Sequence, residues 1–173
     1  MAFDFLVPID DKILTHCELL PAQALGNKIH KHTERKGLPV LANASFAILG
    51  VNESRNAFEK KHESLNTSEI RRHLYKLMMG NWNSTIVDLG DINEGEAVED
   101  TYFVVKEIIA ELIEEDIVAI VIGATQDITY PTYRAFDGLR SMVNLVSVDS
   151  RFDFGDDDEL ISSHSYMSKI ITD

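Results

Sequence analysis

The chain has 173 residues, 45% of them hydrophobic and 26% charged, with a formal net charge of −13. That length suffices for one domain with a real core, and the acidic balance excludes a basic surface for nucleic acid or an anionic membrane. The single cysteine, Cys17, excludes an intrachain disulfide and points to a reducing, cytoplasmic setting.

The N-terminus lacks the basic n-region and long apolar core of a signal peptide. No uncharged apolar run approaches the roughly 18 residues of a membrane span. Residues 1–20 carry Phe3, Phe5, Leu6 and Val7, then Ile13, Leu14, Leu19 and Leu20, which suit a short helix or an extended arm. Residues 21–36 read as a helix, with Pro21 in a first turn and Gly37 then Pro39 as a stop. Within that helix His30 and His32, two apart, would not share a face.

Residues 44–51 read as the first buried strand. Asn66 and Glu69 have the spacing of a capping box, with Ile70, Leu74, Leu77 and Met78 following at helical intervals. Residues 85–89 read as a strand ending in Val-Asp-Leu-Gly-Asp. Residues 98–115 form the clearest helix, with Val98, Tyr102, Val105, Ile109, Leu112 and Ile113 on one face. Residues 117–122 read as a strand, 129–136 as a short helix, and 142–148 as a fourth strand. An acidic loop at 156–159 precedes 160–171, which reads as helical or partly extended. There is no repeat or linker, so 1–173 is expected to be a single α/β domain. Its alternating elements predict a parallel sheet with helices on both faces.

Two apolar, β-branched runs, 117–122 and 142–148, flank one helix-sized segment, the pattern of a βαβ unit with neighbouring parallel strands. Ligands of such sheets gather outside the carboxyl ends of the strands. Gly123 to Asp127 and Asp149 to Asp153 are therefore expected side by side at one rim.

Those loops carry a family pattern. Asp149-Ser-Arg-Phe-Asp153 resembles the Asp-x-His-x-Asp metal motif of the ureohydrolases, the arginase, agmatinase and formimidoylglutamase family. Gly123-Ala-Thr-Gln-Asp127 stands where that family has Gly-Gly-Asp-His-Ser. The pair Ile70-Arg71 and the phrase Asp88-Leu-Gly-Asp91 match the family in order and placement. The resemblance covers about the last three-quarters of the chain but only the N-terminal part of a typical member, and the later Ser-x-Asp-x-Asp phrase is absent from these residues.

The resemblance implies an arginase-like three-layer α/β/α fold and a manganese-dependent hydrolysis of guanidino or formimino C–N bonds. It implies Asp149 and Asp153 as metal ligands, His164 in Ser162-Ser163-His164 on the substrate side, and a small amine or guanidino substrate. The chain departs at the ligands. Arg151 stands at the motif's central His, and a guanidinium has no lone pair to give. Gln126 stands at the other His, and an amide is a poor ligand for a first-row metal. The residues around Arg151 fit either a surface Asp/Arg cluster capping a strand or a vestigial metal site, and His164 fits either a substrate contact or an exposed loop histidine. The expectation is a catalytically inactive relative that binds no metal pair, with Arg151 contacting Asp149 or Asp153. The chain fits either a fragment or a shortened relative; if it is a fragment, one sheet edge or face is expected to be uncovered and to meet a second copy or a missing C-terminal portion. A non-catalytic interaction or regulatory module and an unrelated doubly wound small-molecule binder are the alternatives. Cys17 is a poor nucleophile candidate.

Overall fold

The computed structural model describes residues 2–58, 67–139, 142–155 and 160–173. Its centre is a run of three parallel strands: β3 (Phe46–Val51), flanked by β4 (Ile86–Ile92) and β5 (Val118–Gly123). The far edge of β4 is shared by two short strands. β1 (Leu6–Val7) pairs antiparallel with its carboxyl end, and β2 (His30–Lys31) pairs parallel with its start. The sheet is thus mixed and mostly parallel.

Strand alternation divides the core. On one face Ala47, Leu49 and Val51 of β3 join Val87 and Leu89 of β4 under α4 (Val98–Glu114), which buries Val105, Ile108, Ile109 and Leu112. On the other face Ile48 and Ile122 pack with Ile13 and Cys17 of α1 (Asp11–Glu18) and with Tyr75 after α3 (Thr67–Leu74). Helices on both faces of the sheet are as the alternation of elements requires. Asp10 caps α1 by accepting from the Lys12 amide. α5 (Thr129–Gly138) packs on α4, and α6 (Tyr166–Thr172) on α5. Among the described residues no helix is long and apolar enough to cross a membrane. Asn66 of the expected capping box, and the acidic loop 156–159, lie outside the described residues.

One irregularity in β4 organises an interior charge cluster. Ile48 pairs with Asp88, but Gly50 pairs with Asp91, so β4 spends three residues where β3 spends two. The extra residue is a bulge at Leu89–Gly90, where Gly90 has φ +86°. Side chains three apart on a regular strand point to opposite faces. The bulge turns Asp88 and Asp91 to the same side, where buried Arg71 reaches both. Gly50 beside them has no room for a side chain: an added Cβ would lie 1.7 Å from Asp91 Oδ1.

Two expectations are corrected. Residues 21–36 are not one helix. Only α2 (Leu25–Lys28) is helical, and the chain then enters β2 and a turn closed by Gly37. Tertiary pairing overrides local propensity here. The Leu25 and Gly26 amides donate to the Leu77 and Tyr75 carbonyls, and Gly26 lies so close to Tyr75 that an added Cβ would sit 2.8 Å from that residue's Cβ. His30 consequently lies on a strand, and His32 is buried with Nδ1 against the Leu89 carbonyl.

Residues 142–148 form no strand and do not pair with β5. Met142 and Val148 are 101% and 98% exposed. Strand propensity states that a segment suits a pleated, half-buried surface, but it does not name a neighbour, and consecutive elements of a sheet are not always adjacent. Among the described residues the outer edge of β5 has no partner, and Val118 and Ile120 are 55% and 41% exposed.

Candidate functional site

The carboxyl ends of β3 and β5 open onto one rim. Beyond β3 the chain runs Asn52-Glu53-Ser54-Arg55-Asn56. Beyond β5 it runs Ala124-Thr125-Gln126-Asp127 into a 3-10 turn that starts α5. Both loops send a carboxylate inward. Glu53 is fully buried and accepts from Arg55 (Nη2 at 2.6 Å, Nε at 3.0 Å) and from Thr101 Oγ1 at 2.9 Å. Burial pushes the Glu53 carboxyl up, but the hydrogen bonds from Arg55 and Thr101 outweigh it and hold it below the usual range. Asp127 is also fully buried, accepting from the Tyr102 hydroxyl and from Thr125 Oγ1. Desolvation dominates there and raises the Asp127 carboxyl.

The third wall comes from 149–153 and 162–164. Gln126 donates its side-chain amide to Asp149 Oδ2, so the two rim loops meet although no strand pairing brings them together. The expected juxtaposition therefore holds, by a different route from the one expected. Asp149 also accepts from the Arg151 backbone amide at 3.2 Å, which keeps its carboxyl below the usual range. This bond is a main-chain one and does not supply the charge role expected of the Arg151 guanidinium. Asp153 is buried and adopts φ +50°, a left-handed conformation that Asp tolerates better than most residues. Burial, then the neighbouring Asp149 charge, raises its carboxyl. His164 Nδ1 lies 3.6 Å from Asp153 Oδ1, and its ring stacks at a tilt on Phe58 with centroids 4.8 Å apart. Together these groups line a pocket of about 350 Å³.

Two buried side-chain atoms in this pocket, Asp153 Oδ2 and His164 Nδ1, have no hydrogen-bond partner. Buried polar atoms are ordinarily paired, so these two are available to an incoming group, with the Asp149 carboxylate a charged neighbour of Asp153. The donor set was tested against the metal pair of the resembling family. Two carboxylates and one imidazole are too few to offset the repulsion between two close divalent ions, and Asp149 Oδ2 is already engaged by the Gln126 amide. Among the described residues no group of three or more His, Cys, Asp and Glu side chains is placed to hold a metal ion. The residues present do not fit a dinuclear centre.

The structure brings the three sequence candidates Asp149, Asp153 and His164 into one pocket. Sequence reasoning missed Glu53, Asp127, Tyr102 and Asn56. Two of these carried a readable signal: Glu53 and Asp127 are carboxylates a few residues past the carboxyl end of a strand, where α/β sites form. Tyr102 read only as one more residue of an apolar helix face.

The other ionic cluster lies inside the sheet. Arg71 is fully buried and donates to Asp88 (Nε 2.9 Å, Nη2 3.1 Å), to Asp91 Oδ1 at 2.7 Å and to the Gly90 carbonyl at 2.8 Å. The Tyr75 hydroxyl and the Gly90 amide complete the shell around Asp88. Burial disfavours the Arg71 charge, yet the flanking carboxylates raise its pKa. Cys17 beneath this cluster is buried, and desolvation pushes its thiol up, which agrees with the poor nucleophile expected.

Comparison with known proteins was made on this geometry. The family model described as the arginase family matches residues 44–172. No curated protein matches the chain. Among solved structures, a formiminoglutamase from Trypanosoma cruzi with manganese aligns with TM-score 0.70 at 17% identity, covering 87% of this chain and 52% of the other. A protein described as a hypothetical agmatinase from Burkholderia thailandensis aligns with TM-score 0.65 at 18% identity, covering 79% and 48%. The agmatine ureohydrolase of Thermoplasma volcanium aligns with TM-score 0.62 at 16% identity, covering 93% and 53%. At these identities the likeness shows the fold, and the chain spans about half the length of each structure.

Proposed function

The chain belongs to the arginase family, and from that premise we propose that its rim pocket binds a small cationic amine or guanidino compound without hydrolysing it. The observation that carries this reading is the pair of buried orphan atoms, Asp153 Oδ2 and His164 Nδ1. An ammonium or guanidinium brings several N–H donors and one positive charge, which answers the carboxylate directly and the imidazole nitrogen when it carries its lone pair. The pocket's size of about 350 Å³ suits a small molecule, and a net charge of −13 favours the approach of cations.

Family enzymes are manganese-dependent, and the hydrolytic chemistry needs a metal-activated water. The reading here is that this chain holds no metal pair: Gln126 occupies one carboxylate, Arg151 stands at a ligand position, and among the described residues of the rim pocket two Asp and one His remain. The whole stretch 1–173 is read as one α/β domain, the N-terminal part of a longer arginase-like protein, in a reducing cytoplasmic setting.

Calorimetric titration tests this, with manganese and agmatine added separately to the unmodified chain and to Asp153→Asn. Agmatine is expected to bind the unmodified chain, and the variant is expected to bind it about tenfold more weakly, or about 1.4 kcal/mol. Manganese is expected to show no two-ion stoichiometry. Tight binding of two ions, or release of urea from agmatine, overturns the reading. A single manganese site gained only in the Gln126→His/Arg151→His double variant shows that the rim keeps the family geometry and lacks the ligands.

The coverage favours a second reading. A chain that aligns over 87% of itself and 52% of a solved structure would contribute Asp149, Asp153 and His164 to a centre completed by residues outside it. Hydrolysis assayed with the longest natural form of the protein separates the two readings.

A further inference from the structure

We propose that Asn56 and Tyr102 are positioning residues that hold His164 over Asp153, through a hydrogen-bond path anchored on buried Asp127. This rests on the reading of the rim as a ligand pocket, because it explains how the orphaned imidazole is held ready there.

Each step of the path is a direct contact. Asp127 is fully buried and receives the Tyr102 hydroxyl. That hydroxyl in turn accepts from Asn56 Nδ2 at 3.1 Å. The Asn56 carbonyl accepts the Ser163 amide at 3.0 Å. Ser163 Oγ accepts the Phe58 amide at 3.0 Å, tying the loop after β3 back to the loop that bears His164. The Phe58 ring then lies against the imidazole. Two loops more than 100 residues apart in sequence are thus locked together at His164, and the lock ends on a helix residue that the rim pocket does not touch.

Direction matters along this path. A tyrosine hydroxyl has one proton, and giving it to Asp127 leaves the oxygen's lone pairs for Asn56. The Asn56 side-chain amide therefore points its N–H toward α4, while its main-chain carbonyl separately accepts the Ser163 amide. Asp127 as an acceptor fixes the direction of the Tyr102 and Asn56 side-chain bonds. Asn56 and Tyr102 also line a pocket of about 510 Å³ between α4 and α5. The His164 ring lies against Asp153 and Phe58, and its backbone amide donates to Ser162 Oγ, so its orientation follows the loop that this path secures.

The test uses histidine-labelled full chain and the Hε1–Cε1 resonance of each imidazole, with the His164 signal assigned by its loss in His164→Gln. Tyr102→Phe keeps the ring and removes the hydroxyl, and Asn56→Ala removes the other partner of the same bond while keeping the main-chain carbonyl that accepts from Ser163. Tyr130→Phe is the control: it loses a bond to Asp173 near the same cavity but off the path. Tyr102→Phe and Asn56→Ala are expected to displace the His164 resonance, as its ring moves relative to Phe58, and to leave the resonances of buried His32 in place. Tyr130→Phe is expected to leave His164 unmoved. An unmoved His164 resonance in both path variants, with His32 unchanged as the sign of an intact fold, overturns the proposal. If Asn56→Ala does not fold, Tyr102→Phe alone decides, since it preserves the packing. The readout needs no ligand. A displaced His164 in a protein that binds no agmatine therefore sinks the ligand reading and leaves the positioning role standing.

Discussion

The chain contains two clusters of carboxylates around a basic group, and they are built to opposite ends. At Arg71, every donor and acceptor recorded has a partner: two aspartates, a tyrosine hydroxyl, a backbone amide and a carbonyl. At the rim, Asp153 Oδ2 and His164 Nδ1 are buried and unpartnered. Complete satisfaction marks a group that fixes architecture. It joins α3 to β4 across the bulge and leaves nothing for a ligand to meet. Incomplete satisfaction costs stability on its own account and is repaid when something binds.

The sharpest way to break the comparison is Arg71→Ala. It strands two buried carboxylates without a counter-charge, and loss of one partner of a buried ion network costs about 3–5 kcal/mol. Urea denaturation is expected to show a loss of that order or a chain that does not fold; a midpoint near that of the unmodified protein would mean that the cluster is not the structural one.

A smaller and pH-dependent effect is expected at Asp127. Its carboxyl is raised above the ordinary 3.8 by burial, so the folded state holds a proton that the unfolded state releases. Stability is therefore lost as pH rises from 3.8 through the raised value, and the loss is complete above it. Asp127→Asn removes that titration. Glu53, held below its ordinary 4.5, acts with the opposite sign, stabilising above 4.5 and losing that contribution as pH falls. It is present in both proteins. Unfolding midpoints measured across the acid range are expected to show the variant gaining on the unmodified chain as pH rises; parallel profiles would mean that Asp127 is not desolvated.

The smallest effect is expected at Asp149→Asn. The side chain is exposed and its partners are Gln126 and local backbone groups. The melting temperature is expected to stay unchanged while agmatine binding weakens. A large fall in melting temperature would place Asp149 with the architectural cluster.

The sequence made the first cluster readable in part. Ile70-Arg71 followed by Asp88-Leu-Gly-Asp91 pointed to the right elements, because a spacing tied to a helix and a strand end survives in one dimension. What it did not show is why two aspartates three apart face the same way. That depends on a bulge at Gly90, which exists only once β3 is alongside. The rim was readable as a meeting of two loops, since each followed an apolar run. The strand at 142–148 was misread because apolar alternation carries no information about which neighbour will pair with it. Residues 21–36 were misread because the close approach of Gly26 to Tyr75 is a contact across some 50 positions of sequence, invisible to any local window.

The open edge of β5 has a colloidal consequence. Val118–Gly123 is uncharged, without proline, bulge or lysine, so no device on the strand itself opposes pairing with another chain. Thirteen surplus negative charges oppose such pairing by long-range repulsion. That repulsion reaches about 10 Å at 0.1 M salt and about 3 Å at 1 M. Added salt is therefore expected to act as a switch on the second virial coefficient. Light scattering should pass from net repulsion to net attraction as ionic strength rises, with the attraction removed by a lysine at Ile120.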